Sequence, residues 1–168
     1  MTPLSALTLP QAAVRAITTE VAAYGQHDLE HGGFLLLANT AHVVSLVAVA
    51  GANGITRHRN LFQISAEALD RLFTFADDRE LWIAAQFHSH GEDHGAAAFL
   101  SPTDADHGLR AEGFTSVVIP GYRNPPADTR RWGWWRFTAG RWKRVNGIGV
   151  GEGAVELVRF DEAGVHAW

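Results

Sequence analysis

Hydrophobic positions along the chain switch several times between a helical and an extended period. Leu7 and Leu9 lead into Pro10, after which Val14, Ile17, Val21 and Tyr24 recur at three- and four-residue intervals. This predicts a short extended piece and then a core-packing helix, with Pro10 in its first turn and Gly25 as its stop near residue 24. In 28–38, DLEHGGFLLLA, two acids precede a glycine pair and an apolar strand, and the glycines imply close backbone approach or an unusual φ at the strand entrance. Residues 42–50 form a second apolar strand and 51–54 a turn, while 57–64 alternates in its second half and reads as one further strand of the kind found at a sheet edge. Ser65 is a good N-cap for a helix whose buried stripe is Leu69, Leu72, Phe73 and Ala76.

The second half continues the alternation. Residues 81–87, LWIAAQF, are short and apolar enough for a buried strand. Ser101, with Pro102 after it and Asp104 three positions on, opens a helix expected to reach about residue 112, stopped by Gly113. Residues 115–120 make the next buried strand and 121–131, with Pro125 and Pro126, a loop. The tail reads as two hairpins, 132–145 around Thr138-Ala139-Gly140 and 155–168 around 161–164.

Candidate chemistry concentrates in 86–104, QFHSHGEDHGAAAFLSPTD. If His88 and His90 continue the strand before them, the two-residue period turns both imidazoles to one face and Ser89 to the other. Two neutral imidazoles converging at a strand end can ligate zinc at roughly 2.0–2.1 Å. Ser101 and Asp104 add a hydroxyl and a carboxylate, although a helix cap needs the same two residues. Upstream, Glu30 is a carboxylate at the mouth of a buried strand. From that segment alone, Glu30 and His31 read first as solvated loop side chains. Glu92, Asp93 and His94 are rival metal contacts within the 91–100 loop, and His107, one turn after Asp104, suits a supporting or solvent-facing role.

Composition narrows the classes. The 168 residues suit one domain, 46% of them are hydrophobic and 19% charged, and six Trp with nine Phe leave little room for extensive disorder. The net charge of −4 gives no global positive field for nucleic acid or anionic lipid. Arg130, Arg131, Arg136, Arg141, Lys143 and Arg144 interleave with Trp in the tail, a pattern that suits single-stranded nucleic acid, a protein partner, or an amphipathic strand pair with its tryptophans on the core. Cysteine is absent, which removes disulfides, thiolate ligands, cysteine nucleophiles and the cysteine-bearing zinc signature of nucleobase deaminases. Any metal therefore sits on His, Asp and Glu. A serine-hydrolase reading of Ser89 or Ser101 lacks the G-x-S-x-G elbow. The first residues lack a signal-peptide pattern and no run spans a bilayer, so cytoplasm is the default expectation.

Taken together, Glu30, His88, His90, Ser101 and Asp104 resemble the JAMM motif of the MPN-plus (Mov34/JAB) metalloprotease family: an upstream Glu, then H-[ST]-H, a spacer, and S-x-x-D. Glu-His-Gly-Gly before an apolar strand resembles the family's glutamate strand, and AFLSPTD its approach to S-x-x-D. The family pattern has seven residues between the second histidine and the serine, whereas 91–100 contains ten, with the extra length in a Gly-Glu-Asp-His-Gly loop. The resemblance implies an α/β fold, JAB/MPN-like (cytidine-deaminase-like), with a mixed β-sheet flanked by helices and C-terminal β-hairpins. It implies one domain over 1–168, with its core in about 7–120 and the aromatic hairpins in about 130–168.

The resemblance further implies one catalytic Zn2+ on His88, His90 and Asp104 with water as fourth ligand, Glu30 as base and Ser101 as oxyanion donor. The family's substrate is the C-terminal glycine tail of a ubiquitin-like protein. Associated activating and conjugating enzymes are further expected partners, as in bacterial ubiquitin-like conjugation or antiphage systems. Sulfur-carrier processing, phage-tail assembly and a non-catalytic MPN-type scaffold are the alternative settings; no membrane or nucleic-acid partner is expected.

Overall fold

The computed structural model describes residues 6–91, 98–107 and 109–168, with His107 described by its backbone alone. A short strand, β1 (Thr8–Pro10), leads into helix α1 (Gln11–Gly25). Strands β2 (Gly32–Ala38), β3 (Leu46–Ala50), β4 (Ile55–His58) and β5 (Leu61–Ile64) follow, then α2 (Ala66–Asp78), β6 (Leu81–Ser89), the short α3 (Pro102–His107) and β7 (Thr115–Ile119). The rest of the chain is β8 (Gly133–Thr138), β9 (Arg141–Arg144), β10 (Gly149–Gly151), β11 (Glu156–Asp161) and β12 (Gly164–Ala167).

Eight strands make one mixed sheet in the order β12-β11-β3-β2-β6-β7-β8-β9. The β3–β11 and β6–β7 pairs are parallel and the others antiparallel. Both faces of its centre are covered. Leu35, Leu37, Val47, Val49, Ala85 and Phe87 pack with Val14, Ile17 and Val21 of α1. The alternate residues Phe34, Leu36, Leu46, Ala48 and Ala50 pack with Leu72 and Ala76 of α2. Burial on both sides is why β2 and β3 read as unbroken apolar runs without alternation.

Several local expectations change. Gly25 is the last helical residue rather than a stop: a Cβ there would lie 2.1 Å from the Tyr122 carbonyl oxygen, so a close approach requires the glycine. The turn falls instead at Asp28, whose φ is 55°. Gly32 and Gly33 also sit against backbone, with a Cβ meeting Phe87 O at 2.3 Å and Ala48 O at 2.0 Å. The 57–64 strand is two strands, because the chain turns at residues 59–60 and pairs β4 with β5 as a separate two-stranded sheet. The helix from Ser101 stops at His107, five residues short of the expected end. Beyond it, Leu109 packs into the α2-side cluster, and Arg110 turns back to donate to the Ala105 carbonyl at 2.9 Å.

Candidate metal centre

Strand β6 lies between β2 and β7, so its backbone is hydrogen-bonded on both sides. Alternation along it turns Ala85 and Phe87 to the α1 cluster, while Gln86 and His88 open on the opposite side into a cleft of about 530 Å³. The strand ends at Ser89, and the His90 backbone N–H donates to Ile119 O at 2.8 Å, which keeps the second histidine beside the first. Helix α3 brings Asp104 to the same point. Its Ser101 cap is reciprocal, with Asp104 N–H donating to Ser101 Oγ at 3.1 Å and Ser101 N–H to Asp104 Oδ2 at 2.9 Å. Asp104 thus belongs to the cap and to the His-His-Asp group at once.

Three ligand atoms converge. His88 Nε2 and His90 Nε2 are 3.2 Å apart, and Asp104 Oδ2 lies 3.2 Å from the first and 3.0 Å from the second. Two ligands about 2.0–2.1 Å from a tetrahedral zinc are separated by about 3.3 Å, so this near-equilateral triangle fits one face of such a site. Among the described residues it is the only His, Cys, Asp and Glu group placed to hold a metal ion. Both histidines are buried, at 6% and 3% exposure. Burial would raise Asp104, but hydrogen bonds from His88 and His90 hold its carboxyl far below the usual range. For His88, burial lowers the pKa, and the neighbouring Asp104 carboxylate, helped by Glu30, outweighs it, so the net direction is upward.

Glu30 and His31 are not solvated loop residues. Glu30 is 3% exposed and His31 fully buried, because β4 closes over the segment and the Glu30 N–H donates to His58 O at 3.1 Å. Burial pushes Glu30 up to about 8, with His88 pulling it down and Asp104 adding to the rise. The carboxyl therefore shares an electrostatic environment with two of the three ligands. Ser89 faces away from the ligand pair, as the alternation requires. Its Oγ accepts from the His31 N–H at 2.9 Å and its N–H donates to His31 O at 2.8 Å, tying the two halves of the site together. Glu92, Asp93 and His94 lie outside the described residues, as does the His107 side chain.

Tyr24 was expected only as part of the core stripe of α1, and neither Glu20 nor Arg57 was assigned a role, yet all three surround His31. Arg57 opens the 57–64 stretch before its alternation begins, and no local signal marked it. In the tail, Trp132 and Trp134 are buried in the α1-side cluster, whereas Arg141, Lys143 and Arg144 of the edge strand β9 are exposed.

Fold and site define a mixed α/β sheet protein with a His-His-Asp group at a strand end. No protein-family model matches the chain. No curated protein matches it either. Solved structures share the fold. The solution structure of a Desulfitobacterium hafniense protein aligns with a TM-score of 0.61 over 88% of this chain and 94% of its own, at 15% identity. That of a Salinibacter ruber protein aligns with 0.56 over 85% and 91%, at 20% identity. A JAB1/MPN domain protein from Archaeoglobus fulgidus aligns over 88% of this chain and 99% of its own, at 12% identity and a TM-score of 0.49. Among the described residues no helix is long and apolar enough to cross a membrane.

Proposed function

We propose that this chain is a zinc-dependent peptidase or isopeptidase of the JAMM type, acting on the C-terminal glycine tail of a ubiquitin-like protein or its conjugates. The observation that carries the reading is the ligand triangle of His88, His90 and Asp104 with the buried Glu30 in its electrostatic field. The chain order Glu, H-S-H, S-x-x-D supports it, since these are the positions the JAMM resemblance assigns.

Zinc on the triangle would polarise the scissile carbonyl and lower the pKa of water to about 7. Glu30 is the base. It takes a proton from the water as the oxygen adds to the carbonyl carbon, and returns it to the amine nitrogen as the C–N bond breaks. A carboxyl raised by burial is a poor base at neutral pH, so Glu30 needs a cation beside it to hold its charged form. That requirement ties base function to loading of the triangle. Ser101 keeps its hydroxyl proton while Oγ accepts from Asp104 N–H, so it can donate to the developing oxyanion.

Metal analysis of the purified chain is expected to give one zinc per molecule. E30Q is expected to keep that zinc and to lose cleavage of a ubiquitin-like fusion ending in glycine by about 10²–10⁴-fold, the usual worth of a positioned base. Sub-stoichiometric metal would overturn the site, and full activity in E30Q would remove Glu30 as the base.

A further inference from the structure

Behind Glu30 the chain buries charges that the proposed chemistry does not use. His31 is stacked on Tyr24 with ring centroids 3.9 Å apart. Its Nδ1 accepts from the Arg57 guanidinium, at 3.2 Å from Nε and 3.1 Å from Nη2. An arginine can only donate, so Nδ1 carries no proton and the imidazole is the Nε2–H tautomer. Nε2 lies 3.3 Å from Glu20 Oε1, close but off the line of a good hydrogen bond. Arg159 holds the same Glu20 oxygen at 2.7 Å. Arg57 also donates to Ala50 O at 2.8 Å, with its guanidinium 4.4 Å over the Tyr24 ring.

Replacing buried charged groups by packed apolar ones of similar volume is often neutral or stabilising, so stability alone does not account for this set. What the charged set does is specify position. Arg57 belongs to β4, and its cross-strand partner Phe62 lines the cleft beside His88. Among the described residues, the β4–β5 hairpin pairs only with itself and joins no other sheet. The Arg57–His31 contact and the Glu30–His58 backbone bond are therefore ties between that wall and the residue before β2.

Resting on the functional reading above, we propose that His31 and Arg57 are positioning residues that fix Glu30 and the cleft wall as one unit. R57M keeps the bulk of the side chain and removes its donors; R57K restores one. In the zinc-loaded full chain, R57M is expected to retain its metal and to lose about ten- to a hundredfold in kcat on the ubiquitin-like fusion, the range set by small misplacements of a reacting group. R57K should recover a substantial part. Two readouts need no catalysis. The 15N shifts of His31 should report an Nε2–H tautomer with an accepting Nδ1 that changes in R57M, and amide exchange across 55–64 should accelerate.

Unchanged His31 shifts and hairpin exchange in R57M would show that the tie does not exist. A tie that is lost with kcat retained would show that it positions nothing. If the wild-type chain itself does not cleave the fusion, the functional reading fails while the spectroscopic arms still decide the tie. Should R57M not fold, H31N and H31Q replace it. Asn offers an acceptor where Nδ1 sits and Gln does not, so equal kcat in the two would overturn the proposal.

Discussion

The two halves of the candidate site are held by different means. His88 stands on β6, with a strand hydrogen-bonded on each side, and His90 is pinned to the end of β7 through Ile119. Glu30 and His31 stand just before β2, each with one backbone hydrogen bond to a neighbouring segment, from Glu30 N–H to His58 O and from Ser89 N–H to His31 O, and His31 is further packed by side chains from α1, β4 and β6. The two histidines of the proposed ligand half are thus positioned mainly by backbone ladders, and the proposed base half depends more on side chains. Backbone positioning survives most side-chain substitutions, whereas a side-chain network fails when one member is removed.

The strongest way to break this contrast is to empty the ligand half. His88→Ala with His90→Ala is expected to abolish stoichiometric zinc while leaving the sheet intact. In the wild type, zinc at a thousandfold over its Kd should add about 4 kcal/mol to unfolding stability. The double variant should show no such increment in a thermal or urea titration. Metal retained at one equivalent would mean that another group, not this triangle, holds it.

What could be read in advance follows the same division. His88 and His90 were legible because a two-residue period is a local property, and their convergence needs only the strand before them. Ser101 and Asp104 were ambiguous because helix capping and metal binding ask for the same residues, and here Asp104 Oδ2 both accepts from Ser101 N–H and lies 3.2 Å from His88 Nε2. Glu30 and His31 were misread from their own segment, since what buries them is β4, more than twenty residues downstream, and α1, upstream. The resemblance to the JAMM pattern singled out Glu30 but had nothing to say about Arg57 or Glu20. The shorter α3 was likewise not legible locally: it ends at His107, and Leu109 packs against the α2-side cluster.

A second, smaller effect tests the base half through pH. Burial lowers His31 to about 4, with Glu20 opposing and Arg57 adding to the fall, so the fold accommodates the neutral ring. The associated stability is complete above the unfolded value near 6.5 and is lost as pH falls towards 4, by roughly 3 kcal/mol. Glu30 has the opposite sign. Raised to about 8 in the metal-free chain, it contributes stability that is complete below about 4.5 and is lost as pH rises through 8. Between pH 4.5 and 6.5 the two offset each other. Urea unfolding of the chelated wild type should therefore be nearly flat across that window and decline above it. E30Q should uncover the rising His31 limb, and H31Q the falling Glu30 limb. Parallel profiles for all three proteins would sink the claim that these buried groups control the entrance to β2.

The smallest effect is a control on the side-chain network itself, drawn from two Arg–Glu pairs of similar length. Arg79 grips Glu156 bidentately at 3.0 and 2.7 Å on the surface, with side chains 42% and 48% exposed. Arg159 meets Glu20 at 2.7 Å, where the carboxylate is only 10% exposed and also faces His31. Distance alone would rank the pairs together, but solvent separates them. A double-mutant cycle on R79M and E156Q should give a coupling below about 1 kcal/mol that fades with added salt. The cycle on R159M and E20Q should give about 1.5–3 kcal/mol and resist salt, because a hydrogen bond to a buried charge is lost. Equal couplings would mean that the Glu20 carboxylate is effectively in water. The buried network would then have no special hold on His31, and the base half would need another explanation for its position.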